Sequence, residues 1–390
     1  MNYFSHIAGR IAFHVRKRFY LLLRALPSPD RGNKLLIVRL DAIGDYILFR
    51  NCIHHIKQSD RFKNFQITLL GNQLWRELAE GVDKDVVDKF IWIDPKIIYN
   101  QNDIALDKLL IFARLKFSGF KVILHPVHSR MIEVDRFLAE LKTSLLIGSM
   151  GDEINYRAGE KSEADKLYNE LIPVQGYSTF EFFRNKDLLS GVTGIPRSGL
   201  QLKMAIQSEP AEESAIVIAP GAGHERRKWP PENFGTVIRT ISKAYPRAFF
   251  YICGTGTDKG AAHIIKQNTT GCNVIDMTGE LSLISFAQLM KRSQLVISNE
   301  SSAIHLAAAL DIPAVCLSNG NMYGRFNPYP PSLGKKILTI YSDKSFYDTS
   351  QFDSNVEKTR VFSSLPISQI DPEHVSEHCI GLLRKTAPSI

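Results

Sequence analysis

The sequence predicts an α/β protein of two Rossmann-like domains with parallel sheets, and three observations predict it. Short, nearly continuous apolar runs alternate with helical patterns. The alternation stops at a Gly-, Pro-, Ser- and Glu-rich stretch, residues 191–214, and then begins again. The first apolar run of each series ends in a glycine-bearing turn, at Gly44 in one and at Gly221-Ala222-Gly223 in the other. With 390 residues the chain has room for two domains, each with its own core. Two such halves facing each other would leave a cleft at the carboxyl ends of their strands.

Taken in order, residues 3–26 read as a basic amphipathic helix with Phe4, Ile7, Ile11, Val15, Leu22 and Leu26 toward one side. Two readings of it stay open: docking on an anionic membrane surface, or packing on the body with a solvated charged face. Pro27-Ser-Pro29 and Arg31-Gly-Asn33 form a linker, because Pro and Gly punctuate regular structure. Lys34–Leu40, Phe65–Leu70, Val86–Trp92, Phe120–Leu124 and Ser144–Ile147 are the apolar runs of buried parallel strands. Helices fall near 45–58, 72–80, 103–117 and 129–141. The second series has strands Ala215–Ala219, Ala248–Cys253, Asn273–Asp276, Leu295–Ser298 and Ala314–Leu317, with helices near 231–244, 257–267, 282–292 and 301–310. Residues 341–368 are polar and irregular, and a last helix runs from about Pro372 to Arg384. The organisation expected is a basic segment over 1–33, an acceptor-side domain over 34–205, a donor domain over 206–370, and a C-terminal helix over 371–390 that packs back on the N-terminal domain.

Composition narrows the function classes. An apolar fraction of 44% with 23% charged residues is that of a globular protein. Five scattered cysteines without a CxxC pair argue against a disulfide framework or zinc knuckle and point to a reducing compartment. Residues 1–34 hold seven cations against Asp30 alone, so they carry +6 of the net +8. The body itself is nearly neutral, which speaks against nucleic acid as a partner. No apolar run reaches the roughly 18–20 residues of a membrane span.

Three segments could carry chemistry. In Arg39-Leu-Asp-Ala-Ile-Gly-Asp45, Gly44 permits a tight turn and Asp45 stands where the next helix begins, either as a general base for a hydroxyl or as an N-cap. In Ala219-Pro-Gly-Ala-Gly-His-Glu-Arg-Arg-Lys-Trp-Pro-Pro-Glu232, Gly221 and Gly223 let backbone amides approach a ligand, and Arg226, Arg227 and Lys228 suit a diphosphate. In Ser298-Asn-Glu-Ser-Ser-Ala-Ile-His-Leu-Ala307, Ser301 or Ser302 opens a helix whose free N–H groups and dipole favour an anion. His305 lies one turn in on the same face, as a ligand contact or a support.

Other patterns carry less. Gly254-Thr-Gly-Thr-Asp-Lys-Gly260 is one residue too long for a dinucleotide fingerprint and follows the second strand of its half. Asp83-Lys-Asp85 is a DxD in a polar turn. His125-Pro-Val-His128 has no third metal ligand in view, so acceptor contact is its better functional reading. Ser301 and Ser302 lack the GxSxG of a hydrolase.

Together the three segments resemble glycosyltransferase family 9, the lipopolysaccharide heptosyltransferase-like enzymes, over 34–330 and most strongly over 215–330. The family's Arg-x-x-x-x-Gly-Asp stands as Arg39 to Asp45, its Pro-Gly…Lys-x-Trp-Pro as Pro220-Gly221…Arg227-Lys228-Trp229-Pro230, and its Asn-Asp-Ser-Gly-x-x-His-Leu-Ala as Asn299 to Ala307. Glu300 replaces the Asp, Ser302 replaces the Gly, and the loop usually Phe-Gly-Pro-Thr-x-Pro is Ser318-Asn-Gly-Asn-Met-Tyr-Gly-Arg-Phe-Asn-Pro328. The resemblance implies the GT-B fold and inverting transfer from a nucleoside diphosphate sugar, without metal or cofactor. The donor set it implies is Gly44, Gly221, Ala222, Gly223, Arg227, Lys228, Asp258, Leu281, Glu300, Ser301, Ser302, His305, Gly320 and Arg325. Asp45 becomes the catalytic base, and Arg39, His125, His128 and Arg130 face the acceptor. The expected activity moves a heptose or another hexose-like sugar to a cell-envelope glycan or glycolipid of the lipopolysaccharide type. Its expected place is the cytoplasm, peripheral on the inner membrane face through residues 1–26. The rivals are a nucleotide-sugar epimerase, a non-catalytic sugar-nucleotide or glycan-binding protein and, last, an NAD-dependent dehydrogenase.

Overall fold

The structure is a computed structural model; it describes residues 3–29, 32–100, 105–176, 178–196, 199–208, 215–359 and 362–386. Nothing is described of the side chains of residues 3–12, so Phe4, Ile7 and Ile11 of the amphipathic face lie outside the described residues, as does 209–214 of the expected connection.

In chain order the helices are α1 (Tyr3–Ala25), α2 (Ile43–Phe49), α3 (Asn51–Gln58), α4 (Arg76–Val82), α5 (Lys96–Tyr99), α6 (Leu106–Ser118), α7 (Ile132–Glu140), α8 (Glu160–Asp165), α9 (Glu181–Thr193), α10 (Pro231–Ala244), α11 (Lys259–Gln267), α12 (Leu283–Lys291), α13 (Ser302–Ala309), α14 (Phe352–Thr359) and α15 (Pro372–Thr386). Strands β1 (Lys34–Arg39), β2 (Gln66–Asn72), β3 (Lys89–Ile93), β4 (Val122–His125), β5 (Leu145–Ser149) and β6 (Glu170–Ile172) form one sheet. Strands β7 (Ala215–Ala219), β8 (Phe249–Ile252), β9 (Val274–Asp276), β10 (Leu295–Asn299), β11 (Ala314–Ser318) and β12 (Ile337–Tyr341) form the other.

The sheets are ordered β3-β2-β1-β4-β5-β6 and β12-β11-β10-β7-β8-β9, with every pairing parallel. Counted within each sheet, both follow the doubly wound order 3-2-1-4-5-6, in which ligands bind at the switch point between the first and fourth strands. The α/β fold of two Rossmann-like sheets is thus the one expected from the alternation. The central strands β1, β7, β10 and β11 are buried almost throughout, because helices cover both faces of a parallel sheet. Helix α10 shows the matching helical logic: Pro231 starts it, and Phe234, Val237, Ile238 and Ile241 bury one stripe.

The described chain divides into two compact units, and their boundaries are not the sequential ones. The first comprises Met1–Ala42, Cys52–Gly176 and Arg184–Leu200. The second comprises Gln201–Ile390 together with Ile43–Asn51 and Tyr177–Phe183. Helix α15 puts Val375, Cys379 and Leu383 into the core of the second unit, beside Phe234 and Ile241 of α10. This corrects the expectation that the last helix returns to the N-terminal domain; its apolar face is used up where α10 offers a matching stripe. The single helix expected over 45–58 is interrupted at Arg50. Two edge strands, β6 and β12, and α14 within the irregular 341–368 stretch were not anticipated.

Candidate functional site

In the second unit the switch point lies between β7 and β10, and the two segments that the sequence marks as candidates for an anion leave from the ends of these strands. Asn299, the last residue of β10, pins them together. Its Nδ2 donates to the Pro220 carbonyl at 2.6 Å and its Oδ1 accepts from the Trp229 amide at 3.1 Å. Trp229 is buried and donates through Nε1 to the Ile370 carbonyl at 3.1 Å, so the loop is anchored just past its cations. Ser301 is the N-cap of α13, its hydroxyl accepting from the Ala303 amide at 3.3 Å, and Ser302 is the first helical residue. Both serines are half-buried.

The three cations of the loop are placed differently. Lys228 is paired with Glu225 at 2.5 Å. Arg226 lies over the Phe362 ring at 4.7 Å. Arg227 folds back over the glycines: a methyl group on Gly223 would stand 2.8 Å from its guanidinium. Asp258 receives the Thr255 amide at 2.8 Å, and a methyl on Gly221 or Gly254 would stand 2.8 or 2.7 Å from its Oδ2. The glycine-rich run at Gly254 is therefore the seat of this carboxylate. Ala222 and Leu281 are half-buried on neighbouring turns, and Gly320 is buried at φ +79°. A groove of about 590 Å³ beside the cationic loop is lined by Pro220, Arg226, Lys228, Trp229, Asp258 and Leu365.

Glu300 is buried and accepts a hydrogen bond from the Ser318 hydroxyl, which in turn accepts from the Gly320 amide at 2.9 Å. Burial pushes its carboxyl up to about 7, against the opposing pull of Ser318 and Arg227. Burial thus favours its protonated form well above the usual carboxyl range.

Asp45, read from the sequence as an acceptor-side residue, belongs by packing to this second unit. It is half-buried in the first turn of α2, and α2 packs on α13. The contact is close. A methyl on Gly44 would stand 2.7 Å from Cδ2 of His305, so only glycine fits there without displacing the ring. His305 is buried, its Nδ1 sits 2.7 Å from the Tyr329 hydroxyl, and burial pushes its pKa down to about 4. It is a neutral support between α2 and the Tyr329 loop.

In the first unit the switch point lies between β1 and β4, and its polar residues turn inward. Arg39 is 1% exposed. It grips Asp41 through Nε and Nη2, the latter at 2.6 Å, and donates to the Pro126 carbonyl at 2.9 Å, tying the ends of β1 and β4 together. His125 Nδ1 lies 2.7 Å from the Tyr168 hydroxyl, which donates to Asp135 at 2.5 Å; Tyr156 donates to the other carboxylate oxygen at 2.5 Å. Arg130 pairs with Asp135 at 3.4 Å and with Asp165, and stacks on the Tyr168 ring at 4.6 Å. Desolvation opposes ionisation of Asp135, but the hydrogen bond and charge of His125, then Arg130 and Tyr156, outweigh it and hold its pKa below the usual carboxylate range. His128 Nε2 faces Asp152 at 3.4 Å. These four acceptor-side candidates come together, but Arg39, His125, His128 and Arg130 are all at least nine-tenths buried.

Arg325 is likewise engaged inside the second unit: its Nε donates to Glu181 at 3.0 Å and its carbonyl accepts from the Glu181 amide at 2.8 Å. Asn299, Tyr329 and Glu181 are the structural partners that sequence reasoning missed. Asn299 stands within a quoted motif and Tyr329 directly follows one, but nothing in their spacing told which groups they would reach. Asp83 and Asp85 sit around the turn after α4, Asp83 buried. Among the described residues no group of three or more His, Cys, Asp or Glu could hold a metal ion, and no helix is long and apolar enough to cross a membrane.

Comparison with known proteins finds the family model "Glycosyltransferase family 9 (heptosyltransferase)" over residues 179–355. Lipopolysaccharide heptosyltransferase 1 of Campylobacter coli is 24% identical over 341 residues, 82% of this chain and 95% of that protein. Lipopolysaccharide heptosyltransferase 3 of Escherichia coli is 22% identical over 197 residues, 47% of this chain and 56% of that protein; the chain spans little more than half the length of this relative. The structure of the E. coli heptosyltransferase WaaC with ADP-2-deoxy-2-fluoro heptose superposes with a TM-score of 0.65 at 14% identity, covering 89% of this chain and 99% of that one. At that identity the likeness speaks for the fold, which is of the GT-B type.

Proposed function

We propose that the chain is a heptosyltransferase-like protein of glycosyltransferase family 9, and that it transfers a sugar from a nucleoside diphosphate donor to a cell-envelope acceptor of the lipopolysaccharide type, inverting the anomeric centre without a metal. One observation carries the reading: the half-buried carboxylate of Asp45 is mounted on a helix that packs directly on α13, whose capped N-terminus meets the cationic loop through Asn299. A base and an anion site thus share one unit. In the proposed step Asp45 takes the proton of an acceptor hydroxyl, whose oxygen attacks the anomeric carbon opposite the diphosphate. Arg227 and the amides that open α13 receive the charge of the departing diphosphate, electrostatic work that fixed donors perform well in a dry site. The raised pKa of Glu300 lessens the negative charge it places beside that group.

The relatives' names point to ADP-heptose as the first donor to try. The Glu300, Ser302 and 318–328 changes make other hexose-like sugars the alternatives. A melting-temperature screen of ADP-heptose against UDP- and GDP-hexoses tests this, because a bound donor stabilises the folded state by mass action. No shift with any of them at millimolar concentration counts against the reading. Arg39, His125, His128 and Arg130 then serve the acceptor side by positioning the ends of β1 and β4.

We also propose that the protein works at the cytoplasmic membrane face. Tyr20 and Leu23 fasten α1 to the core of the first unit, while Val15, Phe19, Leu22 and Leu26 stay exposed along one stripe beside exposed Lys17 and Arg18. An apolar stripe flanked by cations suits the interface of an anionic bilayer. Phe19→Glu with Leu22→Glu should abolish flotation with vesicles containing an anionic phospholipid; unaltered flotation rejects the surface.

A further inference from the structure

The helix that carries Asp45 is held at both ends within the second unit, and contacts at each end lead to α13. At its start the His305 ring fills the space over Gly44. That ring is held by the Tyr329 hydroxyl at 2.7 Å, and it packs at 5.8 Å on Phe326 and 5.9 Å on Tyr329. Tyr329 is in turn covered by Phe180, 4.8 Å between ring centroids. Phe180 sits in the short segment that the Glu181–Arg325 pair fastens to the same loop. At the far end Arg50 and Asn51 donate to the Lys203 carbonyl at 2.8 and 3.0 Å, and the next amide, Met204, donates to the Ala309 carbonyl at the last turn of α13 at 2.7 Å. One eight-residue helix thus presents its N-terminus to the anion site and braces α2 along its length.

We propose that His305 and Tyr329 are positioning residues for Asp45, and that the Gly324–Tyr329 loop, whose sequence departs from the heptosyltransferase pattern, serves as the clamp that makes base and donor site one rigid body. The base then keeps a fixed geometry to the anomeric carbon, and the acceptor hydroxyl is the group that has to arrive. Since neutral His305 braces by shape and one hydrogen bond, small changes in either partner free the helix. The proposal rests on Asp45 as the base for its consequence in turnover, but the brace is measurable without substrate.

Amide hydrogen exchange over residues 43–51 and the 13C carboxyl resonance of Asp45, identified by its loss in Asp45→Asn, are followed on the full chain. Tyr329→Phe, which deletes one hydroxyl, should speed exchange over 43–51 at least tenfold, leave β7–β12 protected and displace the Asp45 resonance; local opening of a tethered helix is read in this way. Gly44→Ala, whose methyl meets the His305 ring, should do the same. Unchanged exchange and an unmoved Asp45 resonance in both single variants overturn the proposal. If Tyr329→Phe also unprotects the sheet, Arg50→Met combined with Asn51→Ala, which removes both side-chain donors to the Lys203 carbonyl, decides by the same two readouts. Retained turnover in Asp45→Asn would remove the base assignment and leave the exchange result standing, so the two readings fail separately.

Discussion

The two switch points are built on the same strand order yet hold their charges in opposite ways. At the β1/β4 point, Arg39 closes on Asp41, and Arg130, Asp135, His125 and Tyr168 close on one another out of contact with water. At the β7/β10 point, glycines stand where a methyl would crowd the Asp258 and Arg227 side chains, Arg226 is exposed, Arg227 half-exposed, and a capped helix start lies beside them. A closed network spends its electrostatics on holding strand ends in register. An open one keeps them for a charged partner, because an ion retains its pull only while it is not already neutralised. A shared topology therefore marks two candidate places, and the partners of each charge tell them apart.

The contrast breaks most sharply at Asp45. Asp45→Asn should lower turnover by about 10³ or more, within the range ascribed to a positioned general base, while donor affinity by calorimetry stays within a few-fold. Near-normal turnover would remove the base. At the closed point, Arg130→Met should cost about 3–5 kcal/mol in urea unfolding, since it takes the paired cation away from buried Asp135, and should leave donor affinity unchanged; a cost below about 1 kcal/mol would mean the network is not a structural one. Glu300 tests the open point through pH. Its folded pKa of about 7 lies above the ordinary 4.5, so the folded state binds the proton more tightly. Stability must then fall as pH rises from about 4.5 through 7, and the penalty is fully present above that. Glu300→Gln should therefore recover up to about 3 kcal/mol at pH 8 and little at pH 5; equal effects at both would refute the shift. Arg227→Ala has the smallest expected effect, a loss of about tenfold in nucleoside diphosphate affinity, in keeping with the 1.5–3 kcal/mol of a hydrogen bond to a charged group. Unchanged affinity would leave the open point without its cation.

Most of the strands were legible because a strand buried on both faces has to be apolar throughout, as in Lys34–Leu40 and Ala215–Ala219. The edge strands β6 and β12 were not: β6 is only three residues long, and the apolar Ile337–Tyr341 of β12 follows a Pro- and Gly-rich stretch with no helical pattern before it. The three motifs were legible as candidate chemistry because glycines, clustered cations and helix-opening serines have local causes. Their division of labour was not. Gly254–Gly260, dismissed as a cofactor fingerprint, is the seat that Asp258 needs. His125 and Arg130, read as acceptor contacts, are buried among tyrosines and carboxylates that come from residues 135–168.

Local patterning settled the α/β class, the two sheets and the residues able to carry chemistry, because periodicity, turn chemistry and helix capping act within a few neighbouring residues. Which body Asp45 travels with, where α15 docks, and which arginines are already spent were decided only when distant segments met. Those outcomes depend on burial and on the partner each charge finds, and a partner such as His305 for Gly44 lies 261 residues away along the chain.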